Sequence, residues 1–142
     1  MKSLMCSFPV ILVVFGLIFF VYSELWGADW KPYARNEHFY CYYDAENLTR
    51  SAENTIRVWT KNVYTNKGVN LILKNLGKEY KNLEYSVQLN EMNCIDKMIN
   101  IASGIFYSKE GDIISKDDYP DSHWRFITPD SSEEILYKKV CK

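Results

Sequence analysis

Two histidines and four cysteines are the obvious candidates for metal or nucleophilic chemistry, and their spacing decides against both. His38 and Cys41 stand three apart, as metal ligands often do. His38 precedes and Cys41 lies within Phe39-Tyr40-Cys41-Tyr42-Tyr43, however, a run that reads as a strand, where an offset of three sends side chains to opposite faces. A closed zinc site needs about four ligands, and no second pair is visible. Ser122 adjoins His123, with Asp117, Asp118 and Asp121 nearby, but no nucleophile elbow frames the serine. Asp117-Asp118-Tyr119-Pro120-Asp121 offers carboxylate oxygens to calcium without EF-hand spacing, and reads as a solvated acidic loop. The chemistry that remains is recognition. Trp59 shares a strand face with Arg57 and Lys61, and tryptophan, tyrosine and arginine dominate binding hot spots. The competing reading places Trp59 beneath the C-terminal helix or the 69–81 segment. No catalytic residue, cofactor or metal is expected.

Length and charge bound the rest. A chain of 142 residues, 47% apolar, builds one domain. A net charge of −1 leaves no electrostatic footprint for nucleic acid. Tyrosine supplies 11 of the aromatic residues, which suits strands and half-exposed surfaces.

The first residues read as a targeting segment. Met1-Lys2-Ser3 is a short positive start, and Leu4 to Tyr22 is almost wholly apolar. Cleavage could follow Ser23, Gly27 or Ala28, so residues 1–28 are expected as a signal peptide and 29–142 as the domain. An uncleaved run would be long enough to anchor the chain in a thin bilayer, the one route by which a membrane becomes a partner. Cys6 stands at the start of the apolar run rather than after it, which disfavours a lipoprotein. The domain is therefore expected in an oxidising compartment: periplasm, outer surface or secreted. Cys41, Cys94 and Cys141 remain there, and three cysteines allow three single pairings. Cys41, within its strand, reads as a small buried hydrophobe. Cys94 ends a strand and Cys141 ends a helix, so a Cys94–Cys141 staple is the expected pair.

Alternation places the strands. Trp30 to Ala34 and Phe39 to Asp44 read as a hairpin about the turn Arg35-Asn36-Glu37-His38. Ala45 to Asn54 is irregular, with room for a helical turn near Glu46-Asn47-Leu48. In Ile56 to Tyr64, Ile56, Val58 and Tyr64 point one way and Arg57, Trp59, Lys61 and Val63 the other. Thr65-Asn66-Lys67-Gly68 breaks that strand, and Val69 to Lys81 reads as a short helix. Tyr85 to Cys94 and Lys97 to Ser108 alternate again, with Gly104 signalling a bulge or the close approach of a helix. Asp112 to Ser115 pairs back, Lys116 to Ser122 is a polar loop, and Trp124 to Ile127 leads to the last element. That element is a helix with Ser131 as N-cap and Glu134 returning the bond. Ile135, Leu136 and Val140 are expected on one of its faces. So short a helix is marginal alone and must be held down. The fold class is α+β: about six strands in a curved antiparallel sheet, with a C-terminal helix on one face, tied by a disulfide.

The order of these elements resembles the surface-adhesin protein E family of Gram-negative bacteria across the mature chain. Trp30, Tyr43-Asp44, Val58-Trp59, Asn93-Cys94, Tyr107 with the Lys109-Glu110-Gly111-Asp112 turn, Trp124, and Pro129-Asp130-Ser131 leading to Cys141 carry the resemblance. It implies a bent six-stranded sheet whose concave face holds the helix through a disulfide matching Cys94 and Cys141. It further implies adhesion, with a protein partner or a second copy of the chain. The chain departs from the family in lacking a lipidation cysteine after the apolar run and in carrying Cys41. The expected function is a secreted or periplasmic, non-enzymatic, adhesin-like protein-binding domain. The alternative is a structural or assembly component of the cell envelope without a soluble ligand.

Overall fold

The alternating stretch that carries Trp59 lies at the middle of the sheet. In the computed structural model, which describes residues 27–51, 54–121 and 123–142, it is β4 (Thr55–Tyr64). The expected signal peptide, all but its last two residues, and Ser122 lie outside the described residues. Along one edge of β4 run β2 (Phe39–Asp44), with β1 (Trp30–Arg35) outside it, and then the short β3 (Thr49–Ser51). The other edge pairs β5 (Leu83–Asn93), then β6 (Met98–Ser108). β7 (Ile113–Asp118) and the two-residue β8 (Arg125–Phe126) follow each other along the outer edge of β6. All pairings are antiparallel, and the order β1-β2-β4-β5-β6-β7 leaves an open sheet. Register shifts interrupt β1–β2, β5–β6 and β6–β7. Such bulges bend the strands that carry them.

The C-terminal helix, α2 (Ser132–Val140), forms as its caps dictate. Ser131 Oγ accepts from the Glu134 N–H at 3.2 Å. The return bond differs from the expected capping box: Glu134 accepts from the N–H of Asp130, at 3.0 Å, rather than from Ser131. Asp130 has a left-handed φ of 59°, which aims that N–H into the helix start. Leu136 and Val140 enter a core with Ile56, Val58, Met92 and Ile99. Ile135 does not join them and is 41% exposed. Positions 136 and 140 make a one-turn stripe, and 135 lies off it by about 100°. The expected disulfide is present: Cys94 and Cys141 have Cα atoms 5.4 Å apart.

Several expected boundaries move. The first helix, α1 (Asn66–Leu76), begins inside the stretch read as a strand-breaking turn. Thr65 is its N-cap: its Oγ1 accepts from Gly68 N at 3.2 Å and donates to the Glu37 carbonyl at 2.7 Å. A 3₁₀ turn, Lys78–Asn82, fills the rest of the expected helix. Glu46-Asn47-Leu48 is a bend at Glu46 and then irregular rather than a helical turn, with the N–H groups of Glu46 and Asn47 donating to Asp44 Oδ1, and β3 follows. β7 runs to Asp118, into the expected loop. Among the described residues no helix packs over Gly104; a Cβ there would meet the Tyr119 ring at 3.8 Å. The nearby bulge falls where Leu89 pairs with Ser103 and Asn90 with Ile101, two residues short of the glycine.

Candidate functional site

Trp59 points away from α2. Its strand neighbours Val58 and Thr60 are buried on the helix-bearing face, so period-two alternation sends Trp59 to the other side with Arg57 and Lys61. Register extends that opposite face across the sheet. Trp59 pairs with Leu89, Lys61 with Val87 and Tyr42, and Val63 with Tyr85. Leu89, Val87 and Tyr85 pair in turn with Ser103, Ile105 and Tyr107.

β5 is therefore patterned inside out over this stretch. Its apolar residues Tyr85, Val87 and Leu89 lie on the face opposite the helix, and its polar residues Ser86, Gln88 and Asn90 lie on the helix-bearing face. Among the described residues neither helix covers the opposite face. α2 packs on the other side, and α1 docks at the sheet end against His38 and Tyr64. The side chains that reach the open face are half-buried. They bound a groove of about 680 Å³ with Trp30, Trp59, Val87, Leu89, Ile105 and Tyr107 in its walls.

Cations are fixed at the rim of that groove. Lys61 Nζ lies 4.3 Å from the centre of the Tyr85 ring and 5.9 Å from that of Trp30. The Tyr85 ring stacks on Tyr107 with centroids 4.8 Å apart. Arg57 Nε is 3.1 Å from Glu91 Oε1, but its N–H is not aimed at that oxygen, so the contact is an ion pair rather than an aligned hydrogen bond. Glu91 also accepts from Asn100 Nδ2 at 3.2 Å. The result is an aromatic and aliphatic floor with two positioned cations. It has the composition of a protein-binding surface, with no nucleophile–base pair on it.

Trp59, Arg57 and Lys61 were legible as a trio. Trp30, Tyr85 and Tyr107 were missed because they join it only through strand order. The inverted alternation of Tyr85 to Asn90 was the available signal. The other candidates stay apart. His38 sits at the hairpin turn, its Nε2 3.4 Å from Glu37. Cys41 is buried, 2% exposed, on the helix-bearing face. Asp117, Asp118, Asp121 and His123 are exposed. No group of three or more His, Cys, Asp or Glu side chains among the described residues is placed to hold a metal.

Comparison with known proteins fits this architecture. The family model described as surface-adhesin protein E matches residues 30–142. Haemophilus influenzae protein E, in its crystal form II, superposes with a TM-score of 0.51 at 15% identity, covering 78% of this chain and 91% of that one. Protein E from non-typeable Haemophilus influenzae gives 0.50 at 14% identity, over 79% and 74%. At such identities the likeness is one of fold. No curated protein matches the sequence.

Proposed function

Because the chain belongs to the surface-adhesin protein E family, we propose that it is a non-enzymatic, adhesin-type binding protein that holds a protein partner on the Trp59 face. The observation that carries this reading is the inverted β5, which turns Tyr85, Val87 and Leu89 toward solvent beside Trp59, Arg57 and Lys61. Apolar surface left open and rimmed by charge marks an interaction site. The sheet edges are poorer candidates. β1 carries Pro32, which has no N–H, beside a register shift. β7 carries Lys116, Asp117 and Asp118. Proline, bulges and charges are the devices that blunt strand addition.

The family and the expected leader support a position at the outer surface, in the periplasm or outside the cell. The test is capture of immobilised extracellular-matrix proteins by the purified chain, compared with Trp59→Ala and Lys61→Glu. Binding that falls at least tenfold while the melting temperature holds within a few degrees supports the reading. Binding indifferent to both substitutions overturns the assigned face. Capture of envelope proteins alone would favour the assembly role. Hydrolysis of generic substrates that is lost in His123→Ala would overturn the non-enzymatic reading.

A further inference from the structure

The helix-bearing face changes character partway along its strands. Under α2 it is aliphatic, with Ile56, Val58, Met92 and Ile99. Farther along, the same face turns polar, with Thr60 and Asn62 on β4 and Ser86, Gln88 and Asn90 on β5. A cavity of about 270 Å³ opens over this floor. The rings of Tyr33, Phe39 and Tyr64 wall it on one side, and Ser132 and Glu133 of α2 on another.

The deepest polar groups of the floor are paired within the chain, and the half-buried amides of Asn62 and Gln88 open onto the cavity. Thr60 is 3% exposed and Asn90 4%. A buried amide or hydroxyl without a partner is destabilising. Asn90 donates from Nδ2 to Thr60 Oγ1 at 2.8 Å, and the hydroxyls of Tyr64 and Ser86 share a bond of 3.0 Å. These bonds leave Asn90 Oδ1 and the amides of Asn62 and Gln88 free of protein partners among the described residues, all three residues lining the cavity.

The charges select the ligand. Among the described residues Glu133 is the only charged one in the lining, and Arg125 already holds it, with Nη1 3.2 Å from Oε2 and Nη2 on Oε1. Among the described residues that line it, no free cation waits for an anion and no free carboxylate for an amine. The available groups are amides, which donate and accept, and ring faces, which cover C–H surfaces. Hydroxyl groups on a carbon ring complement both. We propose that this cavity binds a neutral, hydroxyl-rich ligand of monosaccharide size. Its volume, about 270 Å³, lies just below the range of about 300–1,000 Å³ for drug-sized sites and suits a single sugar ring. Gln88 and Ile101 also line the neighbouring cavity, beside Tyr119 and His123.

The test is saturation-transfer NMR and thermal shift on the full chain with glucose, galactose and N-acetylglucosamine. Binding of at least one is expected, weakened at least tenfold by Asn62→Leu and by Gln88→Leu. Gln88→Glu keeps the side-chain size and adds an unpaired charge, and it should also exclude the sugar. That variant serves if a leucine variant fails to fold. Trp59→Ala, on the opposite face, should leave sugar binding intact, which separates this site from the protein-binding face. Absence of binding by all three sugars would overturn the proposal and leave a water-filled cavity. Equal binding by folded Asn62 and Gln88 variants, or preference for an acidic sugar or a neutral dipeptide, would overturn it too.

Discussion

The phenol of Tyr137 donates a hydrogen bond of 2.7 Å to the backbone carbonyl of Cys94, whose sulfur is bonded to Cys141 one helical turn farther on. α2 is thus fastened to the end of β5 twice, once through sulfur and once through a hydrogen bond. The disulfide joins residues 47 apart in sequence. In the chain-entropy account, closing such a loop contributes about 4 kcal/mol, and a neutral hydrogen bond about 1 kcal/mol. Cys94→Ser with Cys141→Ser should therefore lower the melting temperature on the order of 20 °C. Tyr137→Phe should lower it by a quarter of that. Scanning calorimetry reads both, and equal effects would contradict this division.

The two neighbours Ile135 and Leu136 should respond unequally to truncation. Leu136 is 1% exposed in the core, whereas Ile135 is 41% exposed. Leu136→Ala should cost about 2–5 kcal/mol in urea unfolding, and Ile135→Ala less than about 1 kcal/mol. Comparable losses would mean that the helix sits rotated on the sheet.

Gly68 should tolerate no side chain. A Cβ there would lie 2.0 Å from the His38 carbonyl oxygen. That oxygen also accepts from the Thr65 hydroxyl at 3.0 Å, so the α1 cap and the β1–β2 turn share one contact. Because the obstacle is backbone, Gly68→Ala should cost about 1–3 kcal/mol by forcing the helix off the turn. Hydrogen exchange should localise the loss to residues 65–76. Unchanged protection there would contradict the clash.

How much of this was legible follows from where the signals were local. The N-cap of α2 and the alternation of β4 each depend on residues within a few positions of each other, and the cysteine staple, though its ends stand 47 apart, joins the ends of two legible elements. They were readable, as was the face that carries Trp59. The start of α1 was not. Thr65-Asn66-Lys67-Gly68 resembles a turn until Thr65 is seen capping a helix against a hairpin distant in sequence. Nor was the surface around Trp59 complete, because Trp30, Tyr85 and Tyr107 arrive from other strands by register. Gly104 signals a bulge or a helix contact by its type alone, yet the bulge falls two residues away and the ring over it comes from Tyr119, beyond the end of β7. Ile135 failed because three apolar residues were assigned to one face when helical geometry allows two of them.

The return bond of the α2 cap predicts a pH response. Glu134 accepts from the Asp130 N–H and lies 3.5 Å from Lys138 Nζ. First the backbone donor and then the lysine hold its carboxyl below the ordinary glutamate value of 4.5. A carboxyl depressed on folding adds stability above its unfolded value, and that stability is lost as pH falls through the folded one. The stability difference between the wild type and Glu134→Gln should therefore be constant near neutrality and shrink below about pH 4.5. A difference that stays flat down to about pH 3 would show that the cap makes no use of the charge.

Cys41 should be chemically silent in the folded chain. It is 2% exposed on the helix-bearing face, next to Tyr33. Burial pushes its thiol pKa up, and only the thiolate attacks an alkylating reagent. Low access and a small thiolate fraction act in the same direction, so the rate depends on opening of the structure. Iodoacetamide should leave Cys41 unmodified near neutral pH and label it fully in denaturant. Peptide mapping without reductant should recover Cys94 joined to Cys141 in both samples. If Cys41 is labelled in the folded chain, opening of the β1–β2 edge must be frequent. Cys94→Ser with Cys141→Ser should then label no faster, because α2 would not be what shields the thiol. If native protection is complete and disulfide removal abolishes it, the staple guards this buried thiol as well as the core beneath α2.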